Sequence, residues 1–134
     1  MLDGITPEKR RQYFEKALAD GWEDTAILFN EDKATGFISI GKCRDSDKDC
    51  SCGEIGGIYL LPEYRGTGIG SELMKWGLAE LKKRNFTRVT LWVLEDNISA
   101  RRFYEKIGFE YDGTVQEITL GKVLKECRYN MLFK

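Results

Sequence analysis

The sequence predicts an α/β fold of the α+β kind, a mixed sheet flanked by helices, and three observations predict it. Short runs rich in β-branched and aromatic residues recur between polar turns. The segment Ile69 to Arg84 has helical spacing and is entered through a glycine-rich turn. Residues 109–134 read as a long hairpin around Gly121-Lys122. No repeat, low-complexity stretch or linker interrupts the chain, so residues 1–134 are expected to form one domain.

The elements follow in order. Thr6-Pro7-Glu8 offers a capping hydroxyl, a proline at the first helical position and an acid in the first turn, and Gly21 is a stop, which predicts a helix over about 7–20. Thr25 to Asn30 and Thr35 to Cys43 predict a hairpin around Glu31-Asp32-Lys33-Ala34. Residues 44–52, RDSDKDCSC, predict a polar loop. Gly53 to Leu61 reads as a buried strand whose Gly56-Gly57 pair suggests a bulge or close backbone approach. Ile69, Leu73, Trp76 and Leu81 define the longest helix, closed by Lys82-Lys83-Arg84, which suits a C-terminal dipole. Thr87 to Leu94 is the next strand, Glu95-Asp96-Asn97 the connection, and Ile98 to Ile107 a short helix stopped by Gly108.

Composition narrows the function classes. With 134 residues the chain is long enough for one core that buries roughly two-thirds of its unfolded surface. Lys+Arg total 21 against 22 Asp+Glu, so a net charge of −1 gives no global attraction to nucleic acid or to an anionic membrane. No apolar run approaches the roughly 20 residues of a membrane span, and the N-terminus lacks the apolar core of a secretion signal, so a cytoplasmic location is expected. Histidine is absent. That removes Ser-His-Asp and Cys-His machinery, His-ligated zinc and imidazole bases, leaving carboxylates, Tyr, Cys, Lys or a bound cofactor. Cys43, Cys50, Cys52 and Cys127 read as reduced thiols; the CxC spacing of Cys50 and Cys52 is atypical of structural zinc.

Arg65-Gly66-Thr67-Gly68-Ile69-Gly70 lies between a strand and the longest helix, where converging backbone amides and about half a positive charge from the helix dipole suit a pyrophosphate. The alternative is a plain strand-to-helix turn. A dinucleotide site of the GxGxx(G/A) kind is a competitor, since Gly66, Gly68 and Ser71 approximate its spacing and Glu95 ends the following strand. Against it, Pro62-Glu63-Tyr64-Arg65 inserts a loop before the first glycine, and 134 residues leave little room for a catalytic domain besides.

The sequence resembles the GNAT (Gcn5-related N-acetyltransferase) superfamily. Its (Q/R)xxGx(G/A) motif is met at every fixed position by residues 65–70, preceded by IYLLPEY and followed by Asn97-x-x-Ala100-x-x-Phe103-Tyr104-Glu105-Lys106-x-Gly108-Phe109. The resemblance covers about residues 35–134 and implies an N-acetyltransferase moving an acetyl group from acetyl-CoA (coenzyme A) to a primary amine, on a small molecule or a protein, by direct attack. It implies a pyrophosphate on backbone amides of Gly66, Thr67, Gly68, Ile69, Gly70 and Ser71, aided by Arg65, and a pantetheine arm along Ile58, Tyr59 and Leu60. Asn97 would bond the pantetheine amides, and Tyr104 would protonate the departing thiolate as general acid. Read from the residues alone, Tyr104 is rather a core-edge aromatic beside Phe103 and Ile107, a reading that the motif reverses.

A protonated alkylamine near pH 7 lies about 4 to 5 kcal/mol from its free base, so a proton acceptor is needed. Glu54, on the strand leading to the glycine turn, is the candidate base by family analogy; otherwise it is a solvent-facing strand residue. Trp92 fills the position where some relatives carry a glutamate. A backbone N–H near Leu60 is the family's donor to the thioester oxygen. Arg101-Arg102-Lys106 reads as a solvated helix face, with a contact to the 3′-phosphate as the alternative. Family members begin with a further strand and helix, so this chain is expected to be N-terminally short. The outer strand of its first hairpin is then an exposed edge that invites a homodimer, and an acyl-CoA-binding module with little turnover is the alternative function.

Overall fold

A computed structural model of the protein describes residues 12–16 and 23–133. Contacts divide them into two compact units, one drawn from Met1–Gly41 and Ile55–Leu81, the other from Lys42–Glu54 and Lys82–Lys134.

In the first unit strands β1 (Gln12–Lys16), β2 (Glu23–Asn30), β3 (Lys33–Lys42) and β4 (Cys52–Leu60) lie side by side in chain order. A 3₁₀ turn, Pro62–Tyr64, then leads to helix α1 (Ile69–Lys83). The helix places Ile69, Leu73, Met74, Gly77 and Leu81 inward at the spacing of one face. Ala26, Leu28, Ile38, Ile40 and Ile55 supply the buried side chains of the strands.

Close approach depends on two glycines. A Cβ on Gly77 would stand 2.6 Å from Cδ1 of Ile38, and one on Gly36 only 2.5 Å from the Tyr59 carbonyl oxygen. The first obstruction is a movable side-chain end; the second is backbone. Gly36→Ala is therefore expected to destabilise the fold by about 3 kcal/mol and Gly77→Ala by about 1 kcal/mol, read from urea midpoints. Equal losses would contradict this.

The second unit contains the start of β4 and strands β5 (Arg88–Leu94), β6 (Glu110–Thr119) and β7 (Val123–Leu132), with helix α2 (Ile98–Ile107) between β5 and β6. β7 lies between its two antiparallel partners, pairing Leu91 with Tyr129 and Val115 with Cys127. Val89, Leu91, Val93, Tyr104, Phe109, Cys127 and Tyr129 form its core.

Several expectations change. The helix expected over 7–20 is contradicted where it can be compared: Gln12–Lys16 is a strand, antiparallel to β2, with Phe14 stacked on Trp76 at a centroid distance of 5.2 Å. Sheet pairing and that aromatic contact override the local capping signal. Residues 7–11 and 17–20 lie outside the described residues. Since β1 covers the outer side of β2, that strand is not the open edge expected to recruit a second copy. The first hairpin turns on Glu31-Asp32, two residues rather than four, with Glu31 at φ 59 and Asn30 opposite Lys33. Cys52 belongs to β4 rather than to the loop, because its carbonyl accepts the Cys43 N–H at 2.9 Å. The long helix, the second helix with its stop at Gly108, and the closing hairpin match the expected bounds to within a residue or two.

Candidate active site

The turn into α1 is built by Pro62–Tyr64. Their 3₁₀ turn is braced by an exposed Lys33–Glu63 ion pair of 2.6 Å and by Lys33 over the Tyr64 ring. Arg65 to Gly68 are all exposed. Gly66 (φ 77) and Gly68 (φ 91) hold the left-handed backbone that L side chains avoid, and a Cβ on either would meet no atom within 4 Å. The turn is therefore open on the side its glycines present. Glu72 N–H donates to the Gly68 carbonyl, so the amides of Ile69, Gly70 and Ser71 belong to the first turn, which has no intrahelical acceptor. The dipole end of α1 thus has the open shape and the partial positive charge that would suit an anion cradle. Thr67 differs from its neighbours: its N–H donates to the Tyr64 carbonyl at 3.3 Å and its hydroxyl donates to the same oxygen. It locks the turn and has no amide left to offer.

The end of β4 runs straight into this cradle. Leu61 N–H donates to the Thr35 carbonyl at 3.0 Å, tying the strand end to β3. Ile58 and Leu60 are half-buried, while Tyr59 is exposed and stacks on Phe37 at 5.6 Å.

The remaining predicted residues lie in the second unit. Asn97 is the N-cap of α2; its Oδ1 accepts the Ala100 N–H at 3.2 Å, which leaves the Nδ2 donors. This cap was readable from an Asn standing just before an apolar helix start. Two helical turns on, Tyr104 is 9% exposed and packs edge-on to Phe103 and Phe109. Among the described residues no hydrogen-bond partner takes its hydroxyl. Burial raises its pKa above the ordinary tyrosine value, so at neutral pH the group is a proton donor.

Glu54 is not solvent-facing. It is 3% exposed, and its two oxygens accept the Arg44 N–H at 3.0 Å and the Arg44 guanidinium at 2.9 Å. Such pairing meets the cost of burying a carboxylate. Arg101 likewise departs from a solvated helix face: its Nε donates to Tyr129 Oη at 2.9 Å and its Nη1 to the Glu95 carbonyl at 3.0 Å, while Tyr129 donates to Glu105 at 2.8 Å.

Sequence reasoning missed the most connected side chain of this unit. Arg128, on β7 and 6% exposed, holds Asp47 through two bonds of 2.8 Å, Asp112 at 2.7 Å and Asp45 at 3.2 Å, with its guanidinium over the Trp92 ring. Trp92 Nε1 donates to Asp45 as well. The register shift between Tyr111 and Val115 bulges β6 where Asp112 sits. Burial pushes the Asp112 carboxyl up, but bonds from the Thr114 amide, Arg128 and Asn130 outweigh it and bring the pKa down to about 2. The only signal was the charge run RDSDKD, whose acids call for a cation elsewhere in the chain. Cys43 and Cys52 are both buried, and the mutual influence of the two thiols lowers the pKa of Cys52, which also contacts the Thr90 hydroxyl at 3.2 Å, and raises that of Cys43.

Together these features define an α/β protein whose main helix opens on an amide-lined turn fed by a strand. The family model described as "Acetyltransferase (GNAT) family" matches residues 3–109, and the chain belongs to that family. It is 35% identical over 105 residues to a mycothiol acetyltransferase of Thermobispora bispora, covering 75% of this chain and 34% of that protein. It is 42% identical over 101 residues to an uncharacterized N-acetyltransferase of Mycobacterium bovis, covering 75% and 62%. The chain thus spans between about a third and two thirds of the length of these curated relatives. The fold is shared with an acetyltransferase of Bacillus subtilis crystallised with CoA, at a TM-score of 0.75 and 13% identity, covering 92% of this chain and all of that one. It is also shared with an N-acetyltransferase of Staphylococcus aureus Mu50, at a TM-score of 0.72 and 20% identity, covering 84% and 68%. No helix of the described residues is long and apolar enough to cross a membrane.

Proposed function

We propose that the chain, acting as one domain, is an acetyl-CoA-dependent N-acetyltransferase that acylates a primary amine of a small molecule or protein by direct attack. The observation that carries this is the open turn at the start of α1, whose two glycines in the left-handed region leave space beside a helix N-terminus. The naming of one relative as an acetyltransferase and of another as an N-acetyltransferase supports the same reading. Acetyl-CoA would supply an acyl group activated as a thioester.

The chain's own residues then have distinct tasks. The amides of Gly66, Gly68, Ile69, Gly70 and Ser71 hold the diphosphate, with Arg65 as counter-charge and Thr67 setting the turn. The backbone of Ile58, Tyr59 and Leu60 receives the pantetheine arm, and an N–H near Leu60 polarises the carbonyl oxygen. Asn97, fixed by its cap bond, offers Nδ2 to the arm. Tyr104 holds its proton at Oη for the leaving sulfur. Glu54 takes the amine proton through water, using lone pairs that its two Arg44 bonds leave free.

A CoA-binding module without turnover is the competing reading, and the engagement of Glu54 by Arg44 is the observation in its favour. Calorimetry with CoA and a free-thiol assay over a panel of amines test both. The enzyme reading expects saturable heat, thiol release with at least one amine, and a loss of CoA affinity of roughly tenfold in Gly68→Val. Heat without thiol release supports the module, and absence of heat overturns both.

A further inference from the structure

The second unit carries a hollow of about 740 Å³ to which the proposed acetyl transfer assigns no task. It opens because β6 begins at Glu110, opposite Asn130, whereas β7 continues through Met131 and Leu132. Those last two residues pair with Val89 and Arg88 on one side and have no β6 partner on the other. Ile107, Tyr111, Met131 and Leu132 give the hollow apolar walls.

Two cations stand in those walls, Lys48 and Arg88, both half-buried. Arg88 Nε is the one buried side-chain nitrogen or oxygen among the described residues without a hydrogen-bond partner. Leaving such a donor unmade is costly, so the site favours a ligand that supplies an acceptor. The neighbouring polar groups do not compete. Asp112 already accepts from Arg128, Asn130 and the Thr114 amide, and Asn130 bonds Thr90 and Asp112 with its two ends. Glu110 is the remaining acid of the wall and is exposed. Outside the wall, Asp49 acts on Arg88 and Asp47 on Lys48, but Asp49 already accepts the Ser51 amide and hydroxyl and Asp47 the Arg128 guanidinium. Within the wall two cations face one remaining carboxylate, which favours a single negative charge over a polyphosphate.

We infer that this hollow is a binding site for a small monocarboxylate with an aromatic or branched apolar body, its carboxylate on Arg88 and Lys48 and its body against Ile107, Tyr111, Met131 and Leu132. A charge-assisted bond to a planar guanidinium gives orientation, and the apolar walls give most of the buried area. The volume is in the range of sites for small organic ligands.

The probe is 3-phenylpropionate, titrated into the full chain by calorimetry and by amide NMR. The expected result is saturable one-to-one binding with a Kd of about 1 mM or tighter, with shifts confined to the neighbourhoods of Lys48 and Arg88 and to residues 107–112 and 130–132. The uncharged 3-phenylpropionamide should bind about tenfold more weakly, as should the acid in Arg88→Gln and in Lys48→Gln, while CoA binding is unchanged in both variants. If Arg88→Gln fails to fold, Lys48→Gln, in the loop, decides. Equal affinity for acid and amide, no saturation, wild-type affinity in Lys48→Gln, or displacement of the probe by CoA would each overturn the assignment.

Discussion

Tyr104→Phe is expected to lower kcat about a hundredfold while the KM for acetyl-CoA stays within about twofold, because a general acid contributes on the order of 10²–10⁴ to rate. The substitution removes only Oη. The ring keeps its edge-on contacts with Phe103 at 5.4 Å and Phe109 at 6.1 Å, so the thermal midpoint should not move. Burial raises the hydroxyl pKa above its ordinary value of 10.0, and the wild-type protein should therefore keep this hydroxyl protonated throughout the neutral and mildly alkaline range. Steady-state kinetics with a thiol reagent reports both constants. Parallel losses in kcat and cofactor affinity would assign Tyr104 to binding rather than to proton transfer.

Arg128→Leu should destabilise the second unit by about 3 kcal/mol, toward the lower end of what removing one partner of a buried ion pair costs. The side chains of Asp45 and Asp112, 18% and 24% exposed, would lose their counter-charge, whereas Asp47 at 58% would regain water. The pH dependence has a definite sign. Asp112 has a folded pKa of about 2, below the ordinary carboxylate value, so its contribution is present above about pH 4 and is lost as pH falls toward 2. Wild type should lose stability over that window, and the gap between wild type and variant should narrow as it does. Urea unfolding at pH 7 and pH 3 measures both. A loss under 1 kcal/mol at pH 7 would show that the cluster merely decorates the surface.

Legibility in the sequence followed the range of the interactions. The two helices, the glycine turn, the Gly108 stop and the closing hairpin rest on residues within a few positions of one another. Spacing and turn chemistry reveal such features. The segment 12–16 shows the opposite case. Its strand conformation depends on partners 26–30, and a nearby Thr-Pro-Glu cap signal carries no information about them. Glu54 and Arg101 were each recognised as charged residues in suggestive places, but which partner they meet is a tertiary fact.

By itself the sequence determined the family, the amide-lined turn and the identity of its glycines, because a positive φ and a helix start are local demands on particular residue types. Only the tertiary structure decided that Glu54 is bound to Arg44 and that Arg128 gathers aspartates from positions 16 and 81 or more residues away. Hydrogen bonds across such separations leave no periodic trace in the chain, since their geometry exists only once the strands have paired.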